Sequence, residues 1–371
     1  MSFDYSTLIR PDILAQPLEQ WTNSLEAASQ RLGLPIEKLA KLSSNENLYG
    51  PSPKVKEAIA NFDQLYYYPD PLYIRLREKL SAHTGAPADR IIVGNGLDEV
   101  IQLLMRVLLR PGDAILDCPP SFEVYQHEAS FAHGRTVSVP RRADPSTPLR
   151  TSLSLDLDGI ERAFAADANI KMLWLTSPNN PDGSMLPPAD LERLLRLPTF
   201  VLVDEAYVDF APYSFVEWTT KHENLGVMHT FSKGPALAGM RIGYGIFPKM
   251  LADNLWKIIA PFNVNTLGVV AASAALDDWE YTKQIAAKIV EEREQLFEEL
   301  SQFPFLKPYR SHGSFILCKV EGRSARDVWM ALQKQGVLIR LIDNEYLPNH
   351  IRISIGTPRE MRMVVEALGK I

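Results

Sequence analysis

Two cations stand in an otherwise small and apolar stretch, residues 229–246, which reads HTFSKGPALAGMRIGYGI. They are Lys233 and Arg241. A charge is costly to bury without a partner, so each must be exposed, paired or used in chemistry. A lysine in poorly solvated surroundings can act as a neutral, nucleophilic amine, and an arginine can serve as a fixed counter-charge for an anion. Which of these holds for Lys233 and Arg241 depends on the partners that the rest of the chain supplies.

Three other polar motifs each follow a short apolar run. In GNGLDEVIQLL, a glycine turn opens into a helix whose first amides, at Leu97 and Asp98, can bind an anion. SPNNPDGS contains Asn180, and DEAYVDF contains Asp204 and Tyr207. Taken singly, each motif has a structural explanation as well: a tight glycine turn, a proline-stiffened turn and an aspartate helix cap.

The elements that carry these motifs alternate regularly along the middle of the chain. The predicted strands are Ile91–Val93, Ala114–Asp117, Thr136–Val139, Met172–Thr176, Phe200–Val203 and Val227–Phe231, with amphipathic helices such as Leu97–Leu109 and Pro188–Leu197 between them. This alternation is typical of an α/β fold with a mainly parallel sheet covered by helices. In such a sheet, ligands bind beyond the carboxyl ends of the strands, so the four motifs are expected to meet there.

The length and the changing pattern predict more than one domain. A chain of 371 residues exceeds the size that one core normally supports. Residues 1–44 hold a predicted helix, Trp21–Leu32, but no core of their own, so we expect them to pack on the small domain or on a partner subunit. Residues 45–261 are the predicted large domain. Residues 262–371 contain a long charged helix, Tyr281–Phe303, and have the pattern of a smaller α+β domain.

The four strand ends together offer an anion cradle, an amide, a carboxylate with a phenol, and a lysine with an arginine. A phosphate-bearing aromatic aldehyde would use all of them, which points to pyridoxal 5'-phosphate. Lys233 would form the Schiff base, and Asp204 would face the protonated ring nitrogen. Asn180 and Tyr207 would hydrogen-bond the ring hydroxyl. The groups that would hold the phosphate are Ser232, Arg241 and the amides of Leu97 and Asp98.

The motifs NEN, YPD, SPNNPDG, DEAYVDF and SKGPALAGMRIGY resemble, in order, those of the class I/II pyridoxal-phosphate aminotransferases. The resemblance extends from about Lys41 to the C-terminus and is greatest to the histidinol-phosphate aminotransferases. The resemblance implies the fold-type I architecture. It assigns the pocket residues the roles stated above and makes Lys233, Asp204 and Tyr207 the catalytic residues.

The resemblance adds two aromatic residues to the cofactor site. Phe122, in PPSFEVY, matches the position whose ring stacks on the cofactor, although the residue alone reads equally as a core aromatic. Tyr68, the last tyrosine of YYYPD, matches a residue that reaches the phosphate of the neighbouring subunit, which implies a homodimer with shared active sites. From sequence alone, three adjacent tyrosines are more typical of surface and core packing.

Substrate recognition is expected from two arginines in apolar strands, Arg340 in GVLIRLI and Arg352 in HIRISIG. The planar guanidinium is suited to bidentate hydrogen bonding with a carboxylate or a phosphate. Arg352 matches the substrate-carboxylate arginine of the family. For Arg340, an ion pair with Asp343 or Glu345 is an open alternative.

The N-terminal segment departs from the family, which usually has Pro-Tyr where this chain has Pro17-Leu18. A hydroxyl that contacts the substrate phosphate is therefore missing. The loss of one neutral hydrogen bond costs about 1 kcal/mol when water substitutes, so phosphate binding should weaken without vanishing. An aromatic substrate would instead gain from an apolar wall containing Leu18 and Trp21.

Three functions follow from these features. The first is a transaminase that uses glutamate and either histidinol phosphate or an aromatic amino acid. The second is a phospho-amino-acid decarboxylase of the threonine phosphate type, which would release carbon dioxide and need no 2-oxoglutarate. The third is a cofactor-binding regulator without turnover, which would not need all of Lys233, Asp204, Tyr207 and Arg352.

Composition excludes several other classes. The net charge of -6 argues against a nucleic-acid binder, and no G-x-G-x-x-G of a nicotinamide dehydrogenase follows a strand. No metal site is predicted. Two cysteines, Cys118 and Cys318, lie in apolar runs and read as buried thiols of a reducing compartment. With neither an apolar signal core at the N-terminus nor a membrane-spanning run, we expect a cytoplasmic protein that does not contact membranes.

Overall fold

The computed structural model describes residues 3–15, 24–143 and 152–371 of the chain. Its strands are β1 (Ala40–Leu42), β2 (Ile91–Gly94), β3 (Ala114–Asp117), β4 (Arg135–Ser138), β5 (Arg142–Ala143), β6 (Leu153–Ser154), β7 (Ile170–Thr176), β8 (Phe200–Asp204), β9 (Leu225–Thr230), β10 (Gly243–Ile246), β11 (Leu306–Pro308), β12 (Phe315–Val320), β13 (Val337–Ile342) and β14 (His350–Ser354). Its helices are α1 (Pro11–Leu14), α2 (Leu25–Leu32), α3 (Pro53–Ala60), α4 (Ile74–Thr84), α5 (Leu97–Leu108), α6 (Val124–Phe131), α7 (Leu157–Ala166), α8 (Pro188–Leu194), α9 (Lys249–Trp256), α10 (Thr266–Leu276), α11 (Trp279–Ser301), α12 (Ala325–Lys334) and α13 (Pro358–Leu368).

The larger sheet has the strand order β2-β10-β9-β8-β7-β3-β4. All neighbours run parallel except β10, which is antiparallel to both β2 and β9. Strands β2, β3 and β8 are almost wholly buried because helices cover both faces of the sheet. The α/β prediction with a mainly parallel sheet is confirmed.

A second, five-stranded sheet has the order β1-β13-β14-β12-β11. Its C-terminal strands β11 to β14 pair antiparallel, whereas β1 from the N-terminal region pairs parallel with β13 through Ala40 and Val337. The segment expected to lack its own core thus supplies an edge strand to this sheet. Of the helix predicted at Trp21–Leu32, the structure has Leu25–Leu32, and residues 16–23 lie outside the described part.

The apolar core around the larger sheet extends beyond residue 261. Val264 and the buried alanines of α10, among them Ala271 and Ala275, belong to the same cluster as β8 and β9. A separate cluster joins β12, β14, α11 and α13. The division of the chain at 44 and 261 stays a prediction, and by packing α10 lies with the large sheet.

The local elements follow from the sequence in a simple way. In α5, Val100, Ile101 and Leu104 recur at helical spacing and are fully buried against the sheet, while Gln102 and Arg106 are exposed. The helix begins after Gly96, so its first turn lies at the end of β2.

Both cysteines are buried free thiols. In the described ranges, no helix is both long and apolar enough to cross a bilayer.

Candidate active site

The four polar motifs meet at one edge of the large sheet. Strands β9, β8 and β7 are parallel neighbours, so their carboxyl ends lie side by side, and β2 is separated from β9 by β10 alone. The meeting is visible in side-chain contacts: the Lys233 ammonium lies 5.6 Å from the centre of the Tyr207 ring, and Arg241 pairs with Asp98. The convergence expected from the strand pattern is therefore present.

The anion-binding end consists of the first turn of α5 and Arg241. Gly96 caps this helix with no side-chain hydrogen bond, at φ +81°, and a Cβ built there would lie 2.6 Å from Arg241 Nη2. Only glycine allows this approach. Arg241 itself has φ +52° and donates to Asp98 Oδ2 at 2.8 Å. The uncapped amides and the guanidinium together suit a phosphate. Ser232 lies buried just after β9, where its N–H donates to Thr230.

Asp204 is a buried carboxylate without a salt bridge to any described residue. It is 4% exposed and accepts hydrogen bonds from Tyr125 Oη at 2.6 Å and from the Ala206 N–H at 2.9 Å. Burial raises its pKa to about 6, against the hydrogen bonds, which lower it. A buried carboxylate without a cationic partner is suited to binding a protonated, positively charged ring nitrogen.

Lys233 follows β9 and is half-buried. Its Nζ donates to the Ser44 carbonyl at 3.2 Å and lies near the ring face of Tyr207. Among the described residues, Lys233 has no acidic partner within salt-bridge distance. The Nζ group is therefore held by a neutral carbonyl and an aromatic ring rather than by a carboxylate.

The Asn179 side chain holds the SPNNPDG turn by hydrogen bonds to Asp182 and Pro120. Asn179 is fully buried and donates to Asp182 Oδ1 at 2.6 Å and to the Pro120 carbonyl at 3.1 Å. This frees Asn180, whose Oδ1 accepts a hydrogen bond from Arg352. Asn180, which is predicted to bind the cofactor, is thus in contact with Arg352, which is predicted to bind the substrate.

Arg352 and Arg340 stand directly opposite each other on β14 and β13. Arg352 is 9% exposed, and its remaining contacts are the Ser43 carbonyl at 3.0 Å and the Phe315 ring at 5.3 Å. Burial lowers its pKa to about 10, and its buried Nε has no hydrogen-bond partner in the part of the chain that the structure describes. Arg340 is exposed, and the alternative of an ion pair with Asp343 or Glu345 is absent from the described residues. Like charges directly opposite are destabilising, so the pair is suited to an anion.

The two added aromatics lie in different settings. Phe122 is partly buried and meets Tyr125 edge-to-face at 5.7 Å between ring centres. Tyr68 is 79% exposed and stacks on Phe262 at 4.4 Å. Tyr68 therefore lies on an open face of this chain. Leu18 and Trp21, the predicted apolar wall, lie outside the described residues.

Two residues of the site were missed from the sequence. Tyr125 donates the closest hydrogen bond to Asp204, and Asn45 donates to Tyr207 Oη at 2.8 Å. The sequence did contain a sign of the role of Asn45, since this residue begins the NEN motif. It contained no such sign for Tyr125, because a tyrosine on an amphipathic helix is normally predicted to be a core residue.

Fold and site together define a class of protein. The profile of the aminotransferase class I and II family matches residues 37–368, and the chain belongs to that family. It is similar to histidinol-phosphate aminotransferase 1, chloroplastic, of Arabidopsis thaliana, with 40% identity over 98% of this chain and 85% of that protein. It is equally similar to the histidinol-phosphate aminotransferase of Roseiflexus castenholzii, with 40% identity over 98% of each chain.

A solved structure of a histidinol-phosphate aminotransferase also has a similar fold. The histidinol-phosphate aminotransferase from Sinorhizobium meliloti, in complex with pyridoxal-5'-phosphate, is similar with a TM-score of 0.87 and 28% identity. The match covers 98% of this chain and 96% of that one. The fold-type I prediction and the resemblance to the family are confirmed.

Proposed function

We propose that the protein is a pyridoxal-phosphate-dependent transaminase that converts histidinol phosphate and 2-oxoglutarate to imidazole acetol phosphate and glutamate. The observation that carries the choice of substrate is the Arg352–Arg340 pair, which forms no ion pair with an acid in the described part of the chain. Arg352 contacts Asn180 of the cofactor pocket. The names of the relatives at 40% identity support the same reaction.

The pocket fits pyridoxal phosphate at both ends. Asp204 has no salt bridge to any residue that the structure describes, and a protonated ring nitrogen would supply the counter-charge. The start of α5, with Arg241, would accept the phosphate. Asn180 and Tyr207 would hold the ring oxygen, Ser232 the phosphate, and Phe122 one face of the ring. When bound, the cofactor withdraws electrons from the substrate carbon that bears the amine.

Lys233 carries two tasks in this proposal. Its Nζ would attach the cofactor covalently. Once a substrate amine has displaced it, the same Nζ would take the proton from the substrate carbon that bears the amine and deliver it to the aldehyde-derived carbon of the cofactor. The Ser44 carbonyl, at 3.2 Å, holds the freed amine within the site. Asp204 would stabilise the positive charge on the ring nitrogen of the bound cofactor.

The two arginines would receive the anionic end of each substrate. Histidinol phosphate carries a phosphate and no carboxylate, whereas glutamate carries two carboxylates, so one receptor must serve both. Arg352 is suited to the first negative charge because it is buried, and Arg340 adds a second cation from the neighbouring strand.

Arg340→Gln is expected to lower kcat/KM for histidinol phosphate about tenfold or more, because a charged hydrogen bond is worth about 1.5–3 kcal/mol. Phenylalanine has only one carboxylate, so its kcat/KM should stay within about twofold. Arg352→Gln should lower both. Steady-state kinetics check this, with Arg326→Gln, an exposed arginine on α12, as the matched control. An equal loss for both donors in Arg340→Gln would contradict the division of roles.

Side-by-side kinetics test the proposed reaction against its rivals. Values of kcat/KM for histidinol phosphate, phenylalanine and phosphothreonine are measured with 2-oxoglutarate as acceptor. We expect histidinol phosphate to be preferred, with phenylalanine as a weaker competing donor. A preference for phenylalanine would make the enzyme an aromatic aminotransferase, and carbon dioxide release from phosphothreonine would make it a decarboxylase.

The active site is proposed to be shared in a homodimer. An exposed apolar patch, made of Leu65, Tyr66, Tyr67 and Tyr68 with Phe262, lies on the open face of the chain. Apolar area of this kind favours association, and a two-fold axis would bring the same patch of two copies together. Tyr68 would then reach the phosphate bound by the partner.

Complementation tests this sharing. Tyr68→Ala and Lys233→Ala are each expected to be nearly inactive, whereas a mixture that exchanges subunits should regain about a quarter of wild-type activity, since each heterodimer holds one intact site. Tyr5→Ala, at an exposed tyrosine outside the patch, is the matched control and should stay active. No recovery in a mixture proven to contain heterodimers, or full activity of a monomer, would rule the sharing out.

A further inference from the structure

Asn45 connects two parts of the site that are distant in sequence. It follows β1, and it contacts Ser354 at the end of β14 and Tyr207 beyond β8. All three residues are buried, so their hydrogen bonds are shielded from water. The Asn45 amide Nδ2 donates to Tyr207 Oη at 2.8 Å.

Ser354 determines which way the Asn45 amide points. Ser354 Oγ accepts a hydrogen bond from the Asn45 backbone N–H at 2.9 Å and donates its own proton to Asn45 Oδ1 at 2.7 Å. Turning the amide over would give Ser354 Oγ a second donor and leave its proton without an acceptor among the described residues. The amide NH₂ is therefore directed at Tyr207.

This direction decides what Tyr207 can do. Its hydroxyl accepts from Asn45, so its single proton is available for another acceptor, and no described residue accepts it. We infer that Asn45 is a positioning residue that makes Tyr207 a hydrogen-bond donor toward the ring oxygen of the bound cofactor. The inference rests on the proposed function, which places that oxygen beside Tyr207.

The backbone at Asn45 limits which residues can be exchanged for it. Its φ is +54°, in the left-handed region, which asparagine and aspartate tolerate much better than other residues with side chains. Asn45→Asp keeps the shape and can still accept from Ser354, but it presents an acceptor to Tyr207. Tyr207 would then donate to the carboxylate instead of to the cofactor.

The pH at which the absorption band of the lysine-bound cofactor changes reports this hydrogen bond. A proton donated by Tyr207 stabilises the negative charge of the ring oxygen and so lowers that apparent pKa. Asn45→Asp and Tyr207→Phe are each expected to raise it by about one unit or more, a tenfold change in the protonation equilibrium. Spectrophotometric pH titration of purified holoenzyme measures it.

The double variant separates the hydrogen bond from the added charge. In a Tyr207→Phe background, Asn45→Asp should add less than about 0.3 unit, because no hydroxyl remains to redirect. An undiminished shift there would mean that the new charge acts through space, and would overturn the inference. Ser354→Ala adds no charge and should raise the apparent pKa in the same direction. No rise in either variant would also overturn it, whereas a wild type without any lysine-bound absorption would refute the proposed function itself.

Discussion

Lys233→Ala is expected to abolish covalent attachment of the cofactor and to lower kcat about 10⁴-fold or more, since the amine that binds the cofactor and moves the Cα proton is lost. The structure favours this lysine because Nζ lies at the strand-end site, against Tyr207 and the Ser44 carbonyl, with no acid beside it among the described residues. The measurement is borohydride reduction followed by peptide mapping, together with the absorption of the bound cofactor.

Lys41→Ala is the matched control for that experiment. Lys41 lines the same 360 Å³ cavity as Ser232 but is paired with Glu46, so its amine is held by a carboxylate. The Lys41→Ala protein should be tagged at Lys233 like the wild type. Reductive tagging of the Lys233→Ala protein at another lysine would show that the cofactor is attached elsewhere.

Asp204→Asn is expected to retain some cofactor and to lose about 10³-fold or more in kcat, the scale of removing one preorganised electrostatic group. An amide cannot keep the ring nitrogen protonated, so electron withdrawal from the substrate Cα is weakened. Single-turnover kinetics with saturating cofactor measure the loss. A rate close to that of the wild type would mean that Asp204 serves only as a cap for the following turn.

The same substitution should not weaken the fold. Burial raises the pKa of Asp204 from 3.8 to about 6, so the folded state favours the protonated form. Without cofactor, the stabilising contribution of this group is present below pH 3.8 and is lost as pH rises through about 6. Relative to wild type, the cofactor-free Asp204→Asn protein should therefore gain stability between about pH 4 and pH 7. Urea unfolding across that range checks it, and a loss of stability at pH 7 would contradict the assignment of the buried charge.

Much of the site was predictable because its residues follow strands that alternate with helices. The run before Asp204, FVLV, is fully apolar, and the run before Lys233, VMHTF, is rich in apolar and β-branched residues. Parallel neighbours must end at one edge. The predicted strands agree with the structure to within two residues at each end. The helix predicted at Leu97–Leu109 ends at Leu108.

Other features could not be predicted because they depend on tertiary contacts. Strand β10 reads GYGI, and its two glycines weaken the strand signal, yet it inserts antiparallel between β2 and β9. The alanine-rich helix α10 has no polar face to assign, and only packing places it with the large sheet. Tyr125 and Asn45 act through hydrogen bonds to residues 79 and 162 positions away, which no local pattern records.

The transfer of an amino group from histidinol phosphate is tested most directly by a half-reaction. Purified holoenzyme is mixed with histidinol phosphate alone, without any 2-oxo acid, while the cofactor spectrum is followed. The account predicts complete conversion of the cofactor from the aldehyde form to the amine form with one equivalent of product, and return to the aldehyde form when 2-oxoglutarate is added. An unchanged spectrum with histidinol phosphate, in a protein whose cofactor is converted by phenylalanine, would contradict it.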